Sequence, residues 1–331
     1  MRCIFRTETN PYFNLAAEEF AFKNFSGNTF MLWVNDPAII IGKHQNAFAE
    51  INHQFVEAKN IKVVRRISGG GTVYHDSGNL NFSFINNAEK SQTVDFSRFT
   101  LPIISVLGKL GVEAQIGLKN SIFIGQHKIS GNAEHLYKNA VLHHGTLLYS
   151  SDLTVLEKAI RPPAIKFEDK AIKSVRSTVG NISDFMPSSV GMKEFSGFVF
   201  AEIINMNPGS YEYQFSPSDI DSINELAEKK YKTWEWNYGY SPAFQFKTLI
   251  DTGNAQICCM VKVVDGMIQD IIPNNQAEVD MPGIAGEFNA LRDAVTRIPM
   301  QSKLIKQNLS AQFTGPVIDG IIDSLFTGKV C

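Results

Sequence analysis

The stretch RRISGGGTVYHD, residues 65–76, decides the fold prediction, and it directly follows a β-rich run at 61–65. Three consecutive glycines without Cβ atoms let backbone N–H groups close on an anion, and two arginines add fixed positive charge. The stretch lacks the G-K-[ST] of a Walker loop and the G-x-G-x-x-G of a dinucleotide loop. It is typical either of a phosphate site or of a glycine-rich hairpin turn with surface arginines.

Three further polar clusters follow along the chain: GQHKISGNA at 125–133, HHGTLL at 143–148 and KSVRSTVGN at 173–181. Lys128 either holds its ammonium over a carboxylate or phosphate, or is a solvent-facing hairpin lysine. His143 and His144 are neighbours on a predicted strand, so their side chains point to opposite faces. We therefore do not expect them to share a zinc ion.

Composition excludes several function classes. The 331 residues carry a formal net charge of −2, which gives no support to nucleic-acid binding. No apolar run reaches the ~18 residues of a membrane span, and the first residues resemble no targeting sequence, so we expect a soluble, cytoplasmic protein. The four cysteines, at 3, 258, 259 and 331, are too sparse for a disulfide framework and leave residues 4–257 without a thiol.

Hydrophobic patterning predicts an α+β protein of about two domains. Asn10 and Pro11 begin a first helix, and apolar spacing predicts another over 98–110. Strands are predicted at 29–34, 38–42, 61–65, 79–85, 121–125 and 141–149, with longer helices after residue 181. Asp265-Gly266 predicts a hairpin turn in the last part of the chain. We place the domains at 1–247 and 248–331, the second a small α+β accessory domain.

Taken together, the clusters resemble the lipoate-protein ligase A family, within the larger group of biotin and lipoate ligases. The resemblance runs through seven segments: FNLAAEE (13–19), IGKHQNAFAE (41–50), RRISGGGTVYHDSGN (65–79), KISGNA (128–133), HHGTLL (143–148), SVRSTVGN (174–181) and WEWNYGYSPAF (234–244). It implies the catalytic fold of that group, with mixed, largely antiparallel sheets flanked by helices. It also implies condensation of lipoate with ATP to lipoyl-adenylate, with Mg²⁺ accompanying ATP, and transfer of the acyl group to a lysine.

The family's site residues carry over by position. Lys128 matches the central catalytic lysine, which contacts both substrates. The ATP and adenylate positions are Arg66, Gly71, Thr72, Val73, Tyr74, Lys128, Ala133, Ser174, Arg176 and Val179. The lipoate positions are Lys128, Ser68, Gly70, Leu15, Ala16, His75 and His144, although core packing explains the last four equally well. No residue is assigned to a metal.

The implied partners are apo lipoyl domains of 2-oxoacid dehydrogenase E2 subunits and the glycine cleavage H protein, with no nucleic acid or membrane partner. An octanoyl- or lipoyl-transferase with a cysteine acyl-enzyme is excluded, since the catalytic region lacks cysteine. A lipoyltransferase that uses preformed lipoyl-adenylate remains an alternative, because Lys119-Asn120-Ser121 replaces the family's Arg-Asn-Asp. A non-catalytic lipoyl-domain-binding protein is disfavoured by Arg66 and Lys128, and biotin ligation by the lack of a G-R-G-R-x-G-R-x-W loop.

Overall fold

The computed structural model describes residues 1–87, 95–161, 163–188, 190–281, 283–328 and 331. Its strands, in chain order, are β1 (Arg2–Phe5), β2 (Thr29–Val34), β3 (Ala38–Ile41), β4 (Lys62–Arg65), β5 (Val73–His75), β6 (Asn79–Asn87), β7 (Gln115–Ile116), β8 (Ile122–Ile124), β9 (His127–Ser130), β10 (Asn132–Tyr137), β11 (Ala140–Leu148), β12 (Glu168–Asp169), β13 (Tyr211–Glu212), β14 (Phe244–Asp251), β15 (Gln256–Val264) and β16 (Met267–Pro273). The helices are α1 (Pro11–Asn24), α2 (Ala47–Glu50), α3 (His53–Ala58), α4 (Ser97–Lys109), α5 (Leu153–Ala159), α6 (Met192–Asn205), α7 (Pro217–Leu226), α8 (Gln276–Val279), α9 (Ile284–Val295), α10 (Ser302–Leu309) and α11 (Gly315–Phe326). Short 3₁₀ turns lie at Leu118–Asn120 and Ile182–Phe185, and π-helical turns at Ala227–Tyr231 and Glu235–Gly239.

Local sequence signals set several helix starts. The Asn10 side chain accepts a hydrogen bond from the Tyr12 N–H, and Pro11 occupies the first turn of α1, as predicted. Helix α7 begins with a complete capping box, in which Ser216 and Asp219 each accept from the other's backbone N–H. These caps satisfy N–H groups that a helix start leaves without intrahelical partners.

The chain divides into two compact units, each discontinuous in sequence. The first comprises Met1–Lys43, Ile61–Glu157 and Ser174–Thr233, and the second comprises His44–Asn60, Lys158–Lys173 and Trp234–Cys331. All of the predicted domain 248–331 falls in the second unit, together with segments from three earlier parts of the chain. The boundary at 247/248 stays a prediction.

Three sheets build the first unit among the described residues. The largest has the order β10-β11-β6-β2-β1-β13, with antiparallel pairs from β10 to β2 and parallel pairs beyond. A small sheet β4-β3-β5 presents the glycine-rich segment between β4 and β5, and an antiparallel sheet β7-β8-β9 presents Lys128. The fold is therefore mixed α+β with largely antiparallel sheets, as predicted.

The core of the first unit confirms the alternating pattern of β6. Leu80, Phe82 and Phe84 lie on one face of the strand and pack in a single buried cluster with Phe99 and Ile103 of α4. Because side chains alternate across a strand, this register buries the apolar face of β6 and fixes its pairing with β2 and β11. The register of β11 in turn sets which way its two histidines point.

The second unit is an antiparallel sheet, β12-β14-β15-β16, whose apolar side chains form one buried cluster with those of α9, α10 and α11. Asp265 and Gly266 both have positive φ, 50° and 69°, in the tight turn between β15 and β16, as the hairpin signal predicted. A disulfide joins Cys258 to Cys331, with Cα atoms 5.5 Å apart. Within the described residues, no helix has the length and apolar character needed to cross a bilayer.

Candidate active site

Arg66 organises the glycine-rich segment from inside. Its side chain is buried, and its guanidinium reaches acceptors of the same region: Ser68 Oγ at 3.0 Å and the carbonyl oxygens of Gly69 at 2.6 Å, Gly71 at 2.7 Å and Ile40 at 3.1 Å. Burial lowers the pKa of Arg66 to about 10, against the opposing effect of the Glu18 carboxylate, so the group stays charged at pH 7. The charge is thus tied to the loop backbone, and the loop conformation depends on it.

The three glycines have different structural roles. Gly70 has a φ of +90°, and a Cβ there would lie 3.0 Å from Arg66 Nη2. A Cβ on Gly71 would lie 3.0 Å from Ser174 Oγ, whereas one on Gly69 would meet nothing within 4 Å. Gly70 is therefore required by backbone conformation, Gly71 by close approach of another loop, and Gly69 by neither.

We expect Gly70→Ala to destabilise the protein by about 1–3 kcal/mol, because alanine is strained at this φ and its methyl group meets a tightly held guanidinium. Gly69→Ala is the matched control and should change the free energy of unfolding by less than about 0.5 kcal/mol. Urea titration of both variants measures the difference. Equal destabilisation by the two substitutions would contradict this assignment of the glycines.

The strand that carries Lys128 is joined to the polar loop that follows Lys173. The Lys128 N–H donates to the Thr178 carbonyl oxygen at 2.8 Å, the Gly180 N–H donates to the Lys128 carbonyl oxygen at 3.2 Å, and Lys128 and Val179 form a parallel bridge. The ammonium lies over Gly131, where a Cβ would be 3.4 Å from Lys128 Nζ. Two predicted site segments, 128–133 and 174–181, therefore meet at Lys128.

The same loop contacts the glycine-rich segment. The Thr72 N–H donates to Ser174 Oγ at 2.9 Å, and a Cβ on Gly70 would lie 3.7 Å from the Cβ of Ala133. Val73 and Tyr74 continue from Thr72 into β5, and burial raises the pKa of Tyr74 to about 12, so its hydroxyl stays protonated. The structure thus brings together segments that are about a hundred residues apart in sequence.

A buried hydrogen-bond chain extends from Arg66 to helix α1. Arg66 Nε only donates, so the Ser68 hydroxyl accepts there, and the same hydroxyl oxygen lies 2.6 Å from His144 Nε2. His144 Nδ1 then donates to Glu18 Oε1 at 2.8 Å, and Ser83 donates to the same oxygen. Glu18 is a residue that motif comparison quoted without assigning a role. It lies beside Leu15 and Ala16, both buried in α1.

The two histidines of β11 do point in opposite directions, as the strand geometry predicted. His143 contacts Glu134 at 2.9 Å and stacks on Phe82 and Phe99, inside the core. His144 faces the Arg66 chain instead. His143 therefore has a packing role that the H-H dipeptide alone could not reveal.

His75 is the last residue of β5, and its side chain is 5% exposed. Its Nδ1 lies 2.9 Å from Asn35 Nδ2, and its Nε2 is a buried atom without a hydrogen-bond partner among the described residues. Burial, reinforced by the positive charge of Arg66, lowers the pKa of His75 to about 3. The ring is neutral at physiological pH.

For other predicted site residues within the described part of the chain, the structure gives the exposure but no contact with the segments above. Arg176 is exposed on its loop, and Ser121 is buried at 4% exposure just before β8. The roles of Arg176, Leu15 and Ala16 stay predictions. The assembled segments offer a lysine side chain, a loop hydroxyl and backbone N–H groups near a buried guanidinium, which suits chemistry on anions.

The matched family model confirms which class of enzyme this fold and site define. Residues 10–204 match the model described as "Lipoyl protein ligase A/B catalytic domain". Because the match covers more than half of the chain, the chain belongs to this family of acyl-transferring enzymes. It is, more particularly, a member of the lipoate-protein ligase branch, to which the similar curated proteins belong.

Among these relatives, lipoate–protein ligase 1 of Staphylococcus aureus is 43% identical over 241 residues, which is 72% of this chain and 73% of that protein. A lipoate-protein ligase A crystal structure bound with ATP has a TM-score of 0.62 and 27% identity, covering 72% of this chain and 98% of that one. A lipoate ligase of Thermoplasma acidophilum with bound lipoic acid has a TM-score of 0.61 and 26% identity, with coverage of 72% and 98%. A further structure describes that organism's ligase and its E2 lipoyl domain, with a TM-score of 0.61, 26% identity and coverage of 72% and 96%.

Proposed function

We propose that this protein ligates lipoate to a specific lysine of lipoyl domains in an ATP-dependent reaction with a lipoyl-adenylate intermediate. The single observation that carries the proposal is the convergence of Lys128, the glycine-rich segment and the 174–180 loop. Membership of the lipoate-protein ligase family supports it, as do the lipoic acid and the ATP named in the related structures. A cytoplasmic location is part of the same proposal.

In the first half-reaction, a lipoate carboxylate oxygen attacks the α-phosphorus of ATP, and the bond to pyrophosphate breaks. Lys128 pairs with Val179 of the loop that the resemblance assigns to the nucleotide, and its ammonium lies over Gly131. In this reaction the ammonium faces both the attacking carboxylate and the phosphate. The Thr72 N–H donates here to Ser174 Oγ. Once that hydroxyl moves, the same N–H can donate to a phosphate oxygen of ATP.

In the second half-reaction, the acceptor lysine amine attacks the acyl carbonyl carbon, an oxyanion forms, and AMP leaves with the phosphate oxygen. A fixed ammonium stabilises the oxyanion and the leaving phosphate alike, and it needs no reorganisation in the transition state. We propose apo lipoyl domains of E2 subunits and the glycine cleavage H protein as acceptors. The structure of a related ligase with its E2 lipoyl domain supports the first of these.

We propose that Mg²⁺ reaches the site bound to ATP. The described residues form no group of three or more His, Cys, Asp or Glu side chains able to hold a metal ion. Mg²⁺ usually takes most of its ligands from phosphate and water, so it needs no such group of side chains. Ser121, buried where the family often has aspartate, then costs little activity.

ATP–pyrophosphate exchange driven by lipoate tests both the proposed function and its alternative. We expect the wild type to catalyse exchange with lipoate, to fail with biotin, and to gain less than about threefold from Ser121→Asp across a magnesium titration. Transfer from synthetic lipoyl-adenylate to an apo lipoyl domain is measured in parallel. Undetectable exchange by the wild type that Ser121→Asp restores would identify a lipoyltransferase that needs preformed adenylate.

A further inference from the structure

The orientation of the Asn14 side-chain amide is fixed by two one-way partners. Its Nδ2 donates to the Glu8 carbonyl oxygen at 2.7 Å, and its Oδ1 accepts from Arg6 Nε at 3.2 Å. A carbonyl oxygen cannot donate and a guanidinium cannot accept, so the amide cannot be turned over without losing both bonds. The nitrogen of Asn14 is therefore assigned by its surroundings.

The orientation of Asn14 determines the orientation of Asn35, and through it the tautomer of His75. Asn14 Nδ2 lies 2.9 Å from Asn35 Oδ1, so the Asn35 atom on that side must be the oxygen. The Asn35 nitrogen is then the atom 2.9 Å from His75 Nδ1, and that ring nitrogen must accept. In a neutral imidazole with Nδ1 as acceptor, the hydrogen is on Nε2. Asn14 and Asn35 thus lock one tautomer of His75.

The locked ring leaves a neutral N–H donor at Nε2. His75 Nε2 is buried and has no partner among the described residues, although a buried N–H group nearly always has one. Asn14 and Glu18 lie one turn apart on α1; Asn14 leads through Asn35 to His75, and Glu18 contacts His144. His75 and the Ser68–His144 pair are therefore tied to the same face of α1. A ligand acceptor in this place would satisfy the donor.

We propose, on the basis of the function proposed above, that His75 donates a hydrogen bond from Nε2 to a dithiolane sulfur of lipoate and selects lipoate over octanoate, with Asn14 and Asn35 as positioning residues. The carboxylate end of lipoate is matched by the charge of Lys128. The remaining acceptors on the acid are its two ring sulfurs, which are weak acceptors and suit a neutral, buried donor. Octanoate has the same chain length and no sulfur.

Imidazole ¹H–¹⁵N spectra of the full chain test the tautomer directly, with His75→Phe used to assign the signals. We expect a protonated Nε2 and an unprotonated Nδ1 between pH 5 and pH 8, on account of the locked amides, and a shift of the Nε2–H signal with lipoate but not with octanoate. Asn35→Asp keeps the ring and places a carboxylate beside Nδ1, which demands the hydrogen there. A wild-type ring protonated at Nδ1, or equal shifts with both acids, would overturn the proposal.

Exchange kinetics give the functional readout. The ratio of kcat/KM for lipoate to that for octanoate should fall about three- to tenfold in both His75→Phe and Asn35→Asp, since one neutral hydrogen bond is lost with one substrate only. Equal losses with the two acids would place the donor on their shared carboxyl end and contradict selection through sulfur. Absence of exchange by the wild type with either acid would overturn the proposed function instead, while the spectra still report the tautomer.

Discussion

Replacing Lys128 with alanine should lower the rate of lipoate-dependent ATP–pyrophosphate exchange about a hundred- to thousandfold. Removing one preorganised donor from a site where negative charge develops typically costs about 2.7–4 kcal/mol of transition-state stabilisation. Lys128→Ala should also lower transfer from synthetic lipoyl-adenylate, because the same ammonium faces the oxyanion of the second step. Single-turnover measurement of each half-reaction separates the two effects.

Lys138→Ala is the matched control for this variant. Lys138 lies on the hairpin that follows β10, where its ammonium contacts the Tyr137 ring, and it belongs to no predicted site segment. Its removal should leave both half-reactions within about twofold of wild type. Lys128→Arg should not restore activity, since the planar guanidinium is wider than the ammonium that lies over Gly131. Near-normal exchange by Lys128→Ala would remove Lys128 from the mechanism.

Elements whose signals are local could be predicted from sequence. Helix α4 was predicted over 98–110 and spans Ser97–Lys109, because its apolar residues recur at helical spacing. The turn at Asp265-Gly266 was equally predictable, since few residues other than Asn, Asp and Gly adopt positive φ at both positions. In each case a few neighbouring residues carry the whole signal.

The composition of the two units depends on contacts that no local pattern encodes. Helices α2 and α3, near residue 50, belong to the second unit. There the Asn52 N–H donates to the Ala159 carbonyl oxygen, and Phe48 joins the core of the C-terminal sheet. A chain ended near 248 would therefore leave β14 without its partner β15. The pairing of Cys258 with Cys331 is another contact over a long sequence separation.

Some site residues could also be predicted from the sequence, whereas others became visible only in the fold. The glycine-rich segment and Lys128 stand out in the sequence because glycine and lysine are unusual in their surroundings. Asn14 and Asn35 could not be recognised, since an isolated asparagine carries no spacing signal and its role lies in which of two side-chain atoms faces a neighbour. Glu18 was visible only as half of an acidic pair on α1, and its contact with His144 comes from the fold.

Arg66 has a structural role that its predicted role in ATP binding does not include. Sequence resemblance predicts that it binds ATP. In the structure its guanidinium already bonds to Ser68 and to three backbone carbonyl oxygens, so it holds the glycine-rich segment in shape before any nucleotide arrives. The positive charge then acts on a phosphate partly through the conformation that it maintains in the loop.

Arg66→Ala should consequently destabilise the ATP-free protein as well as impair catalysis. Two or more acceptors around Arg66 lose a charged donor, at about 1–3 kcal/mol each, which gives about 2–6 kcal/mol in the free energy of unfolding. Arg66→Lys should restore little, because one ammonium cannot span acceptors on both sides of the loop. Urea titration without nucleotide, with hydrogen exchange across residues 66–76, measures the effect.

Arg98→Ala provides the control for loss of an arginine in the same unit. Arg98 is exposed on α4, where it contacts the Phe99 ring, and its removal should change the free energy of unfolding by less than about 0.5 kcal/mol. If Arg66 acted only as a phosphate ligand, Arg66→Ala would raise the KM for ATP and leave unfolding and loop exchange as in wild type. That outcome would refute an organising role, since the loop would then keep its conformation without the guanidinium.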